Sequence, residues 1–162
     1  MIAIVAVDQN WGIGKDGEQI VYIPEDLKRF KAFTTGNTIV LGRKTVATFP
    51  GGKPLKNRRN LILSRNSDYR PEGGEVYADL DSLMEQVTDP ENTYVVGGAS
   101  VYNALIEQCD RAYVTKIEAK YPADCWFPNL DEDPNWEIEE QGEELEHEGV
   151  KFCYVNYRRK TR

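Results

Sequence analysis

Several things are scarce in this sequence, and each scarcity removes a class of function. There is one histidine, His147, set in the polar run Glu144-Leu145-Glu146-His147-Glu148. It is expected as a solvated side chain in a hairpin loop. No Ser-His-Asp or Cys-His arrangement is supported, and no metal-ligand cluster is visible, so no metal is expected. The three cysteines, Cys109, Cys125 and Cys153, form no CxxC pair, so neither a zinc site nor a redox couple is suggested. They read as reduced, part-buried thiols of a cytoplasmic protein. No long apolar run opens the chain. Only Met1–Val7 precedes Asp8, with no basic residues ahead of it, which is too short for a signal peptide or a membrane span and reads as a buried first strand. Positive charge is also short: 20 Lys and Arg stand against 27 Asp and Glu, for a net charge of −7. Such a field disfavours nucleic acid and anionic membranes as partners. An anionic ligand would need a local basic pocket built against it. Repeats, linkers and low-complexity tracts are absent. The acidic stretch 131–148 is interrupted by Pro134, Trp136, Ile138 and Leu145, so it can fold.

What remains is ordinary globular composition: 162 residues, 40% apolar, 29% charged and 10% aromatic. This fits a single domain, 1–162, with a sizeable core. β-Branched apolar runs predict strands over Ile2–Val7, Thr38–Leu41, Asn60–Leu63, Glu75–Ala78, Thr93–Val96, Arg111–Ile117, Trp136–Gln141 and Lys151–Tyr157. Several are apolar throughout, as strands covered on both faces are. The last two alternate more and suggest an edge hairpin.

Helices are expected between the early strands. One is Pro24–Thr34, with Pro at its first position. Another carries Leu80, Leu83, Met84 and Val87 on one face behind Asp79 or Asp81 as cap. A third buries Val101, Tyr102, Leu105 and Ile106, and a short helix follows Gly42. The pattern predicts a three-layer α/β fold: a central eight-stranded, mostly parallel sheet, an antiparallel C-terminal edge hairpin, and about four flanking helices.

Three turns at strand ends attract attention. Val96-Gly97-Gly98-Ala99-Ser100 ends a strand in two glycines, where a ligand can approach the backbone closely. The full GxGxxG fingerprint is absent, so a plain tight turn stays open as a reading. Gly42-Arg43-Lys44-Thr45 and Leu63-Ser64-Arg65 end strands in cations and hydroxyls. Each alone reads as solvated surface. Together they lie where open α/β sheets bind ligands, outside the carboxyl ends of strands, and would suit a polyphosphate.

On the first helix Asp26 falls at the edge of the apolar stripe beside Leu27 and one turn before Phe30. Glu25 faces away, placed to pair with Arg29. A carboxylate in an apolar wall has a raised pKa and suits proton chemistry. The alternative is that Asp26 merely complements the positive helix terminus.

Taken in order over Met1–Arg159, these segments resemble the dihydrofolate reductase family. The resemblance rests on Trp11-Gly12-Ile13-Gly14, Ile23–Lys31, Gly42–Thr45, Arg58–Asn60, Leu63–Arg65, Val96–Tyr102, Tyr113–Ile117 and Trp126-Phe127-Pro128. It implies reduction of dihydrofolate with NADPH as cofactor, in a monomer that antifolates would also bind.

It also implies roles. Asp26 would grip the pterin 2-amino group and N3 side and raise the basicity at N5 with a water, supported by Thr115. Val5, Ala6, Val21, Leu27 and Val96 would line the pterin end. Phe30, Phe49 and Leu55 would pack on the pterin and benzoyl rings, and Arg58 would pair with the glutamate α-carboxylate. Ala6, Ile13, Gly14 and Tyr102 would flank the nicotinamide. Gly97 and Gly98, cis-linked in the family, would meet the diphosphate with Ala99, Ser100 and Val101. Gly42, Arg43, Thr45, Leu63, Ser64 and Arg65 would hold the remaining phosphates and ribose, with Lys44 a further cation nearby.

The chain departs from the family pattern at Ile20-Val21, where Pro-Trp is usual. Val21 donates no hydrogen bond and fills less space, which bears on loop closure, water placement and antifolate binding. Two other readings share these residues: a pteridine or pyrimidine reductase of the same fold, such as that of riboflavin synthesis, and a folate- or NADPH-binding protein with degraded catalysis. Arg58 favours folate over a phosphoribosyl substrate.

Overall fold

The computed structural model describes residues 1–161. In chain order the elements are β1 (Ile2–Val7), β2 (Gly12–Lys15), β3 (Glu18–Gln19), α1 (Pro24–Thr34), β4 (Thr38–Gly42), α2 (Arg43–Val46), β5 (Arg59–Leu63), β6 (Gly74–Tyr77), α3 (Leu80–Met84), β7 (Thr93–Gly97), α4 (Ala99–Leu105), β8 (Arg111–Ile117), β9 (Cys125–Trp126), β10 (Trp136–Gln141), β11 (Leu145–His147) and β12 (Val150–Arg159). The eight strands read from the apolar runs line up in one sheet, in the order β10-β12-β8-β1-β7-β4-β5-β6. The five pairings from β8 to β6 are parallel, while β12 runs antiparallel to both β8 and β10.

Apolar continuity in the central strands follows from burial on both faces. Ala3, Val5 and Val7 of β1, Val40 of β4, Leu61 of β5 and Val95 of β7 pack to one side with Leu83, Val101 and Leu105 from α3 and α4. Their neighbours Ile2, Ile4, Ile39, Leu41, Ile62 and Tyr94 pack to the other side with Phe30 and Phe33 of α1 and Val46 of α2. The alternation is the period-two pleat of a strand, with apolar residues at both phases. Each such fully buried aliphatic side chain contributes roughly 1.5–3 kcal/mol to the fold.

Four details differ from the sequence expectation. The helix capped by Asp79, whose side chain accepts from the Ser82 amide at 2.8 Å, ends at Met84 rather than Val87. The last strand extends to Arg159, sandwiched between β8 and β10. His147 lies not in a loop but in β11, a short strand that pairs with β12 and whose polar sequence carries no strand signal. Arg29 does not pair with Glu25; Glu25 instead lies 3.8 Å from His147 Nδ1, because Arg29 turns inward to stack on Tyr154. A second sheet, β3-β2-β9, gathers the segment after β1 and the segment after β8.

Candidate active site

The sheet opens where a parallel sheet binds ligands. β1 and β8 stay paired from Ile2 opposite Arg111 to Val7 opposite Lys116. On its other side β1 pairs with β7 only at Ile2↔Tyr94 and Ala3↔Val95. Beyond that point the two strands part. Tyr102, buried on α4, reaches into the gap and donates its hydroxyl to the Ile4 carbonyl at 2.6 Å.

One end of this cleft is organised around Asp26. Pro24 at the first position of α1 leaves Glu25 and Asp26 in the first turn, at the positive end of the helix. Thr115 on β8, 2% exposed and opposite Ala6 of β1, donates its hydroxyl to Asp26 Oδ1 at 2.5 Å. Burial pushes the Asp26 carboxyl above its ordinary range, against the pull of the Thr115 hydrogen bond and the Arg29 charge. Ala6 and Val21 border this end in a cluster with buried Ile23, Ile117 and Phe152. Val5 is buried, Leu27 is 37% exposed at the mouth, and Tyr22 points away into solvent at 66% exposure. Val21 and Tyr22 therefore face opposite ways.

Phe30, Phe49, Leu55 and Val96 join the apolar face beneath α1, forming a greasy floor next to Asp26. At its margin Arg58 Nη1 donates to Thr34 Oγ1 at 3.2 Å and Nε to the Lys56 carbonyl at 2.9 Å. Buried Asn60 fixes this loop: its side chain accepts from the Leu55 amide at 3.1 Å and donates to the carbonyls of Leu55 at 2.9 Å and Arg58 at 3.0 Å.

The other end is built from glycine and cations. Gly97 and Gly98 are joined by a cis peptide, and Gly97 has φ 125°. A Cβ at Gly97 would come to 3.4 Å from both Thr45 Oγ1 and the Tyr102 ring, and one at Gly42 to 3.5 Å from Val101. Thus Gly42, Thr45, Gly97, Gly98, Val101 and Tyr102 converge, with Ala99 and exposed Ser100 opening α4. The Arg43 guanidinium lies 4.6 Å from the Tyr69 ring centroid. Ser64, Arg65, Tyr69 and Arg70 line a cavity of about 490 Å³. Half-buried Leu63 packs inward behind it. Bare backbone, hydroxyls and guanidinium groups at strand ends are the donor set for a phosphorylated dinucleotide, so these residues fit NADPH. Lys44 is exposed, and its charge is felt at the Cys125 thiol on β9.

Ile13 and Gly14 sit on β2, in the loop segment after β1, with Ile13 packed on the core. Two carboxylates missed in the sequence hold that loop. Asp8, 3% exposed, accepts from the amides of Asn10 at 2.9 Å, Gly12 at 2.8 Å and Tyr121 at 3.0 Å. Asp124 accepts from the Asp16 amide at 3.0 Å, while its own amide donates to the Gly14 carbonyl at 3.0 Å. The available signal was an Asp closing an apolar strand immediately before Gln-Asn. Asn60, Tyr69 and Tyr154 were also missed, since nothing local marks them.

Among the described residues no group of His, Cys, Asp and Glu could hold a metal ion, and no helix is long and apolar enough to cross a membrane.

A family model for dihydrofolate reductase matches residues 1–159. The chain is 36% identical over 160 residues to the dihydrofolate reductase of Bacillus subtilis, covering 98% of this chain and 94% of that one. It is 39% identical over 126 residues to dihydrofolate reductase type 3 of Salmonella typhimurium, covering 78% and 76%. The solved dihydrofolate reductase of Enterococcus faecalis, complexed with NADP(H) and RAB-propyl, superposes with a TM-score of 0.84 at 33% identity over 99% of this chain and 96% of that one. Fold, cleft and relatives agree that this chain belongs to the dihydrofolate reductase family.

Proposed function

We propose that this chain reduces 7,8-dihydrofolate to 5,6,7,8-tetrahydrofolate with NADPH, in support of one-carbon and thymidylate metabolism. The observation that carries this reading is the half-sunk carboxylate of Asp26, held by the Thr115 hydroxyl at the mouth of a cleft whose other end is cationic.

Asp26 accepts hydrogen bonds from the pterin 2-amino group and the N3 side, and Thr115 fixes the carboxylate for that contact. The negative charge so placed raises the basicity of the pterin at N5, where a proton arrives through a water. The apolar floor of Phe30, Phe49 and Leu55, with Val5, Ala6, Val21, Leu27 and Val96, packs the flat rings and keeps water away from them. Arg58, already tied down by Thr34 and Lys56, presents its free guanidinium nitrogen to the glutamate α-carboxylate. Gly97, Gly98, Ala99, Ser100, Val101 and Thr45 accommodate the diphosphate. Gly42, Arg43, Leu63, Ser64 and Arg65 accommodate the 2′-phosphate side, with Lys44 as a flanking cation. Ile13, Gly14 and Tyr102 border the nicotinamide. Bound NADPH supplies the hydride that the pterin accepts at C6.

The whole of 1–162 acts on this reading as one domain, a monomer in the cytoplasm that also takes antifolates. Val21 removes the indole donor usual in the family and packs on the same Ile23, Ile117 and Phe152 cluster as Tyr121 and Tyr154. Arg58 argues against a phosphoribosyl substrate. Mixing the protein with NADPH and dihydrofolate and following the reduced-nicotinamide absorbance tests the proposal. Turnover that prefers NADPH over NADH and collapses in Asp26→Asn is expected. Tight binding of both ligands without turnover would mark a degraded binding protein, and absence of folate binding would direct attention to other pteridine or pyrimidine reductases. Val21→Trp then measures what the altered loop does to the rate.

A further inference from the structure

Arg29 lies one helical turn after Asp26, yet it does not extend into water. Its Nη2 donates to Asn156 Oδ1 on β12 at 3.2 Å. Its guanidinium carbon lies 4.0 Å from the ring centroid of Tyr154, 5.0 Å from that of Phe33 and 5.9 Å from that of Tyr113. Among the described residues it forms no salt bridge with any carboxylate. Tyr154 stands opposite Thr115 in the β12–β8 register, and Thr115 holds Asp26. Two links therefore run from α1 to one place on the sheet: a hydroxyl to the carboxylate, and a cation to the neighbouring ring. A guanidinium caged by aromatic faces keeps its charge and loses much of its screening water.

We propose that Arg29 is a positioning residue for the reaction: clamped on the Tyr154 ring, its charge keeps Asp26 in the carboxylate form that pterin recognition uses. The proposal rests on the role given to Asp26 above. The titratable groups that face the pair are Tyr102 from α4, Tyr113 from β8, Tyr154 from β12, Glu25 from α1 itself and Glu140 from β10, with His147 of β11 3.8 Å from Glu25. Arg29 is the cation whose charge is felt at Asp26, opposing the upward push of burial. The aromatic clamp explains why it gives up the i+4 partner Glu25 that its helix offers.

The test is a carbon-NMR titration of the Asp26 carboxyl in protein carrying labelled aspartate, with Asp26→Asn identifying the signal. In Arg29→Gln the midpoint is expected to rise by about one pH unit. In Arg29→Lys, which retains the charge, it is expected to stay within about 0.3 of the wild type. The pH profile of the hydride-transfer step should move upward with the carboxyl. A folded Arg29→Gln protein that titrates like the wild type overturns the proposal, and so does an Arg29→Lys protein that titrates like Arg29→Gln. Should Arg29→Gln fail to fold, Tyr154→Leu carries the same test by releasing the guanidinium: an upward midpoint supports the proposal and an unchanged one refutes it. A midpoint that moves in a wild-type background lacking dihydrofolate turnover would refute the folate reading while upholding the coupling, so the two failures are distinct.

Discussion

At the Asp26 end of the cleft a single carboxylate is half-sunk between α1 and β8, held by one short hydrogen bond and raised in pKa by burial. At the Gly97 end the charged groups are cations left largely in water: Arg43 rests on Tyr69, while Arg65 and Arg70 rim an open cavity. One end concentrates a charge in a low dielectric, where it is strong and costly. The other spreads charge over several solvated groups, where each is weak and screened. Chemistry needs the first arrangement and anchoring of an anion needs the second. The contrast also explains how a chain of net charge −7 can hold a polyphosphate.

The largest effect that would sharpen this comparison is the loss of the sunken charge. Asp26→Asn keeps the shape and the oxygen that accepts from Thr115, and turnover should fall by about 10²–10⁴-fold. NADPH affinity should hardly change. A variant that lost both equally would show that the two ends are not independent. Next, Arg58→Met should raise KM for dihydrofolate about 10–100-fold at nearly constant kcat, the effect of a charge-assisted pair contributing roughly 1.5–3 kcal/mol. Arg43→Ser with Arg65→Ser should weaken NADPH by about tenfold, with a loss that shrinks as salt is added and leaves NADH untouched. A salt-independent loss would break the comparison, because it would place these cations in a buried site.

The smallest effect concerns stability. The folded Asp26 carboxyl has a raised pKa, so the native state keeps its proton at a pH where the unfolded chain has already lost it. Stability therefore falls as pH rises from the ordinary carboxylate value through the folded one, and the cost is fully present above both. Asp26→Asn removes that cost. Its Tm should exceed the wild type at neutral pH, by about 2–4 °C for each kcal/mol recovered, and the gain should vanish towards pH 3. Thermal melts at the two pH values check it.

How far the sequence could be read follows from the same physics. Central strands were visible because burial on both faces demands apolar residues at both phases, as in Ile39-Val40-Leu41 and Leu61-Ile62. Asp26 was visible because it falls at the edge of an apolar stripe, beside Leu27 and one turn before Phe30. β11 and the sheet β3-β2-β9 were not, since Glu18-Gln19 and Leu145-Glu146-His147 carry no periodicity and owe their strand form to partners distant in the chain. Arg29 was assigned to Glu25 because helix spacing offers that partner. Only the tertiary placement of Tyr154 and Asn156 shows a better one. Asn60 likewise has its purpose in a loop that no local pattern announces.

The parting of β1 from β7 also bears on how the molecule assembles. On one side of that seam β4, β5, β6 and β7 come from one continuous stretch, 38–97, in which β4, β5 and β6 pair between near neighbours in the sequence and β7 returns to β4. On the other side Ile2 must wait for Arg111, so β1 closes the longest loop in the sheet before any pairing rewards it. β4, β5 and β6 should gain amide protection first in a pulse-labelled refolding experiment and β1 last. The cleft is thus the border between an early and a late part of the chain, and Asp26 and Thr115 meet only when the slower part arrives.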